Sequence, residues 1–132
     1  MTFLQELRAF LLTSSGVVTA VVDNVYNGPK PENLQVLTWI SLLQSGGSDL
    51  EDMSGLEGTT KARIQISCFS TSDPGISQAL RDVVRAFLGN YRGAMGSVTV
   101  TGINDAGTEF DYYAPEILSY CSSRDFYIWY GR

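Results

Sequence analysis

Apolar residues recur every three or four positions at the start of the chain, with Phe3, Leu7, Phe10 and Leu11 along one side of the run from Thr2 to Thr13. That spacing predicts an amphipathic helix, and Thr2 with Gln5 has the form of a capping box at its start. Ser14 or Ser15 can cap a short second piece, Gly16 to Val22, whose Val17, Val18, Val21 and Val22 suit a helical turn or a strand. Turn formers then crowd together from Asp23 to Pro31, and Pro29 and Pro31 lack backbone donors, so regular structure is expected to stop there.

From Leu34 to Ser41 the period drops to two. Leu34, Val36, Thr38 and Ile40 share one face while Gln35, Leu37, Trp39 and Ser41 share the other, which predicts a strand covered on both sides. In the next strand Ala62, Ile64, Ile66 and Cys68 alternate with Arg63, Gln65, Ser67 and Phe69. The two are expected to pair antiparallel across a long loop. Ser72 or Asp73 caps a further helix with Pro74 at its first position, Ile76, Leu80, Val83, Val84 and Phe87 or Leu88 on its buried side, and Gly89 as its stop. Beyond it, Ser97 to Ile103 and Thr108 to Tyr113 read as a hairpin turning through Asn104-Asp105-Ala106-Gly107. Ala114 to Ser123 reads as loop or a short helical turn. The last strand is Arg124 to Tyr130, with Phe126, Ile128 and Tyr130 alternating against Asp125, Tyr127 and Trp129. The predicted fold is α+β: a mainly antiparallel sheet with two amphipathic helices packed on one face and a long acidic loop between the first two strands. Residues 1–132 fit one domain.

Composition narrows the chemistry. A hydrophobic content of 44% with 17% charged residues is that of a globular protein. No apolar run approaches 18 residues, so no membrane span is expected. The start, Met1-Thr2-Phe3-Leu4-Gln5-Glu6, has neither the cationic beginning nor the apolar stretch of a signal peptide, and assembly in the cytoplasm is expected. A net charge of -5 disfavours gripping DNA through its phosphates, though not surrounding it. The chain has no histidine, which removes Ser-His-Asp and Cys-His catalysis. It also lacks GxxxxGK[ST] and GxGxxG patterns, so no nucleotide cofactor is expected. Cys68 and Cys121 have no metal-ligand spacing and suit two reduced thiols, Cys68 as a small buried hydrophobe.

Two groups of residues remain as candidate sites. The stretch from Ser45 to Gly58 carries Asp49, Glu51, Asp52 and Glu57 and no basic residue. Unstructured connections beyond about 12–15 residues are uncommon in a small domain and serve as working surfaces or are disordered. The acids do not fit the spacing of a calcium-binding EF-hand, and a glycine-rich exposed loop offers no burial to raise a carboxyl pKa for acid–base work. A solvated loop and a partner-facing or lumen-facing loop remain as readings, and no catalytic or metal site is expected. The second group is aromatic. Phe126-Tyr127-Ile128-Trp129-Tyr130 reads as a core strand, or else Tyr127 and Trp129 point outward on a subunit interface to which Trp39 also belongs.

The order of several short motifs resembles the tail-completion, or tail-terminator, proteins of long-tailed bacteriophages. These motifs are the N-terminal helix pair, Asn24-Val25-Tyr26-Asn27-Gly28-Pro29-Lys30-Pro31, Gly55-Leu56-Glu57-Gly58, Lys61 to Ser70, Ala79 to Leu88 and Arg124 to Tyr130. Together they cover nearly the whole chain, while Leu42 to Ser48 departs by lacking a proline. The resemblance implies a virion protein that is not an enzyme. It forms a homo-oligomeric ring, typically a hexamer, at the head-proximal end of the tail. There it stops polymerisation of the major tail tube protein and docks the head-tail connector protein, while DNA passes through without specific nucleic-acid binding. Asp49, Glu51, Asp52 and Glu57 would then face the lumen or the docking partner, where negative charge lets DNA slide. Two other readings stay open, a head-closure or neck protein and a monomeric acidic module that binds a basic protein.

Overall fold

The computed structural model of the chain describes residues 3–28, 30, 37–49, 60–89, 91–115 and 117–131. Helix α1 (Phe3–Leu11) buries Phe3, Leu7 and Leu11, the stripe its spacing predicts. The ambiguous valine-rich piece is helix α2 (Ser15–Val21). Val17 and Val21 are buried while Thr19 between them is exposed, a once-per-turn pattern rather than an alternating one. Ser14 caps it by accepting from the Val17 amide at 3.4 Å. Helix α3 (Pro74–Leu88) starts as its sequence dictates, with Asp73 Oδ1 accepting from the Gly75 amide at 2.8 Å and Pro74 in the first turn. Among the described residues three helices cover the sheet, the short α2 beside the two amphipathic ones.

Among the described residues six strands form one sheet: β1 (Val25–Asn27), β2 (Thr38–Asp49), β3 (Thr60–Ser70), β4 (Gly93–Met95), β5 (Val98–Ala114) and β6 (Ser119–Gly131). Their spatial order is β1-β2-β3-β6-β5-β4, and every pair is antiparallel except the parallel β1–β2. The centre is the β3–β6 ladder, which runs without a register break from Thr60↔Tyr130 to Ser70↔Tyr120. Ile40, Leu42, Ala62, Ile64, Ile66, Cys68, Phe126 and Ile128 point to the same side of the sheet and meet Leu7, Leu11, Val17, Val21, Leu80, Val84 and Leu88 of the helices. This is the α+β layer arrangement that the alternation predicts, with the helices on one face.

The boundaries differ where tertiary pairing overrides local turn chemistry. The predicted hairpin through Asn104-Asp105-Ala106-Gly107 does not form. β5 is one strand, and the turn formers sit at a register shift between Asp105 and Glu109, because β6 offers a continuous partner. The reversal comes later, at residues 115–118, and β6 begins at Ser119 rather than Arg124. β2 extends through Gly46 and Gly47 to Asp49, across a bulge between Gln44 and Gly46, so the start of the expected acidic loop is strand. Residues 50–59 join it to β3. On α3, Leu80, Val84 and Leu88 are buried with Ser77, whereas Ile76 and Val83 are partly exposed.

One polar group ties α1 to the sheet edge. Glu6 is buried, and its carboxylate accepts from Ser97 Oγ in the two-residue β4–β5 turn. Gly96 precedes it at φ 62°, and a Cβ there would lie 1.6 Å from Glu6 Oε2. This turn requires glycine for both conformation and space.

Candidate functional site

The side of the sheet away from the helices holds the aromatic candidates. Register places Trp39, Ser41 and Leu43 of β2, Phe69, Ser67, Gln65, Arg63 and Lys61 of β3, and Cys121, Ser123, Asp125, Tyr127 and Trp129 of β6 on this outer face. No helix among the described residues covers it. Trp39, Tyr127 and Trp129 thus share a face but do not form one patch. Trp39 sits in the row Trp39–Phe69–Cys121 and Trp129 opposite Lys61, about 26 Å away along the strands. Trp39 is only 2% exposed and stacks on Phe69 at 4.9 Å, with Tyr26 packed alongside.

At the other end the face is aromatic and cationic. Lys61 Nζ lies 4.3 Å from the Tyr127 ring centroid and 5.4 Å from that of Trp129, and the two half-buried rings are 6.2 Å apart. Next to them Arg63 donates to Asp125 Oδ2 from Nε at 3.0 Å and from Nη2 at 2.7 Å. These bonds push the Arg63 pKa up further from its already high ordinary value. Asp125 is buried, and the guanidinium compensates its charge. Behind it Ser67 and Ser123 share a hydrogen bond at 2.8 Å across the central ladder.

On the helix side a polar network that the sequence reading misses fills the gap between α3 and β5–β6. Asp111 accepts from Arg81 Nη1 at 3.1 Å, from Gln78 Nε2 at 3.2 Å and from Ser122 Oγ. Asp105 accepts from Arg124 and faces Arg85 Nε at 3.4 Å. The signal was present in β6, where Ser122 and Arg124 occupy positions in register with core residues. Beside Asp105 an open groove of about 410 Å³ is lined by Asp82, Arg85, Ala86, Gly89, Ile103, Asn104, Asp105 and Phe126. Arg85 pairs with Asp105 and Asp82 with Arg81, and no histidine, thiol or hydroxyl stands among the lining residues to act as a nucleophile. Among the described residues no three His, Cys, Asp or Glu side chains gather as a metal site. No described helix is long and apolar enough to cross a membrane.

No protein-family model and no curated protein matches the chain in sequence. The fold has a counterpart. A chain in the virion of a native gene transfer agent particle superposes with a TM-score of 0.75, over 98% of this chain and 91% of that one, at 15% sequence identity. The likeness is one of fold, and it runs nearly end to end in both chains.

The acidic candidates are placed only in part. The backbone of Asp49 closes the β2–β3 ladder opposite Thr60, and Glu51, Asp52 and Glu57 lie outside the described residues. The two thiols are both free and buried. Cys68 points to the helix side and Cys121, one register step away on β6, to the outer face, so their Cβ atoms diverge and no disulfide can join them. Burial pushes the Cys68 thiol far above its ordinary value of 9.0. A raised folded pKa contributes stability that is complete below the unfolded value and lost as pH climbs past it. Thermal stability is therefore expected to fall as pH rises above about 9. Ellman's reagent should titrate neither thiol until denaturant unfolds the chain, and rapid labelling of the native protein would refute the burial.

Proposed function

We propose that this chain is a structural virion protein that forms a ring on the head-proximal end of a phage tail tube, ends tube polymerisation and presents the docking surface for the head connector. The observation that carries this reading is the near end-to-end fold likeness to a chain of a gene transfer agent virion. The resemblance of the motif order to tail-completion proteins supports the finer role. A ring needs surfaces that face neighbouring copies, and the outer sheet face with Tyr127 and Trp129, over which no described helix lies, is suited to be one. The ring's central hole passes DNA, and Asp49, Glu51, Asp52 and Glu57 border it or the connector. The protein is not an enzyme and takes no cofactor in this role. A head-closure or neck ring uses the same surfaces, and binding to purified tail tubes rather than to emptied heads separates the two.

The test is solution mass by light scattering over a concentration series, with negative-stain images of any large species. A closed particle of about 87 kDa, six copies of 14.5 kDa, is expected. A strict monomer with and without tail tubes would favour the monomeric acidic binding module instead. In this role the acids face solvent or the connector, so replacing Asp49 and Asp52 with Asn and Glu51 with Gln should change folding stability by no more than about 0.5 kcal/mol. Joining of tails to filled heads in vitro should be lost. A marked drop in melting temperature would place these acids in the core and remove them from the docking surface.

A further inference from the structure

Helix α2 turns an uncharged surface to solvent. Its sequence SGVVTAV contains no ionisable side chain. Val18 and Val22 are exposed there, and the apolar surface continues onto Ile76 and Val83 of α3, on the side of that helix away from Asp105 and Asp111. The two helices meet closely, for a Cβ on Gly16 would come within 2.9 Å of Val83 Cγ1. Val22 is 66% exposed at φ 61°, a conformation that β-branched residues rarely adopt. A valine held outward in a strained backbone points to a contact the isolated chain does not make. Asp23 follows Val22 directly and Asp73 caps the start of α3 one turn before Ile76, and both are exposed. Arg8, beside Asp23, is engaged with the carbonyls of Asp23 and Val25.

The outer sheet face has the opposite character. It shows Lys61 against Tyr127 and Trp129, Arg63 beside them, Lys30 over the Trp39 ring at 5.3 Å, and exposed Leu43 and Tyr112. Its one described carboxylate, Asp125, is buried and bound by Arg63. The two surfaces are thus complementary: apolar with an acidic rim on one side of the sheet, aromatic with cations on the other. Because the sheet lies between them, they cannot meet within one protomer, and a two-fold contact would set each against its own kind.

We propose that copies of this chain associate head to tail, the α2–α3 surface of one seated on the outer sheet face of the next. Val18, Val22, Ile76 and Val83 lie against the Lys61, Tyr127 and Trp129 end, and Asp23 and Asp73 approach Lys61 and Arg63. Such a contact is heterologous and generates a ring when its rotation closes. The inference rests on the ring reading above and assigns the two faces that build it.

Two full-length variants test it. One carries Val18→Glu and Val22→Glu, the other Lys61→Glu and Trp129→Ser, and circular dichroism confirms that each folds. Each should raise the concentration needed for assembly about tenfold or more, as loss of central interface residues does. Should Trp129→Ser prevent folding, Lys61→Glu alone replaces it. A second measurement uses Val22→Cys and Lys61→Cys with a short bismaleimide, the native thiols being buried. The double variant should give ladders of covalent oligomers and each single variant no dimer. Dimers from Val22→Cys alone would show a two-fold contact and overturn the proposal, as would wild-type-like assembly of both folded variants. In the latter case rings would still be seen by negative stain and the functional reading would stand. A wild type that forms no ring on tail tubes would remove both.

Discussion

Ile66→Asp will abolish folding: the variant will enter the insoluble fraction and show no cooperative thermal transition. Ile66 is 1% exposed, pairs with Leu42 on one side and Arg124 on the other, and lies in the unbroken β3–β6 ladder beneath the helices. Loss of a buried branched side chain costs about 2–5 kcal/mol by itself. A carboxylate put in its place is desolvated, and Arg124, the cross-strand neighbour, is already engaged by Asp105. A domain of this size has about 5–15 kcal/mol in total, so the combined loss removes most or all of its stability. Ile66→Val, by contrast, should cost only about 0.5–1.5 kcal/mol. A soluble Ile66→Asp variant with a native-like circular dichroism melt would mean that β3 presents the opposite face to the core.

Gly96→Ala is the second large effect. An alanine at φ 62° sits in the left-handed region, at a cost of about 1–2 kcal/mol. Its Cβ would also need the space of Glu6 Oε2, 1.6 Å away. A long side chain ordinarily swings aside from such a clash, but Glu6 is 4% exposed and holds Ser97, so moving it loses a charge-assisted bond worth about 1.5–3 kcal/mol. The sum, about 2.5–5 kcal/mol, lowers the melting temperature by roughly 10–15 °C in calorimetry. In the background of Glu6→Ala only the conformational part should remain. Equal losses in both backgrounds would show that the carboxylate and the turn are not coupled.

The sequence made the faces legible and the lengths less so. β3 alternates so cleanly that Ala62, Ile64, Ile66 and Cys68 were readable as one buried row, and α3 announces its start through Asp73 and Pro74. Local signals failed where a partner strand outweighed them. Asn104 to Gly107 looks like a turn, yet β6 holds it as a bulge, and Gly46-Gly47 looks like loop, yet β3 pairs with it. β1 and β4, three residues each, are too short to leave a periodic trace. Ile76 and Val83 were misread for a different reason. Helical spacing tells which residues share a side of α3, but it cannot tell how wide a stripe the sheet covers. The shared face of Tyr127 and Trp129 followed from alternation, whereas the covering of Trp39 by Phe69 and Tyr26 depends on three separate strands. The arginine network at Asp105 and Asp111 joins positions up to 41 residues apart and left only the polar Ser122 and Arg124 as a hint.

All the register breaks in the long ladders fall in β2 and β5, and none in the central β3–β6 pair. β2 and β5 are also the strands whose far sides are paired over only three residues, by β1 and β4. An unpaired strand side is a template on which another chain can add itself, and bulges spoil that template by twisting its donors and acceptors out of line. The irregularities are therefore placed where runaway growth would begin. The sheet thereby resists fibril growth at its borders, while its outer face, over which no described helix lies, stays open for chosen contacts.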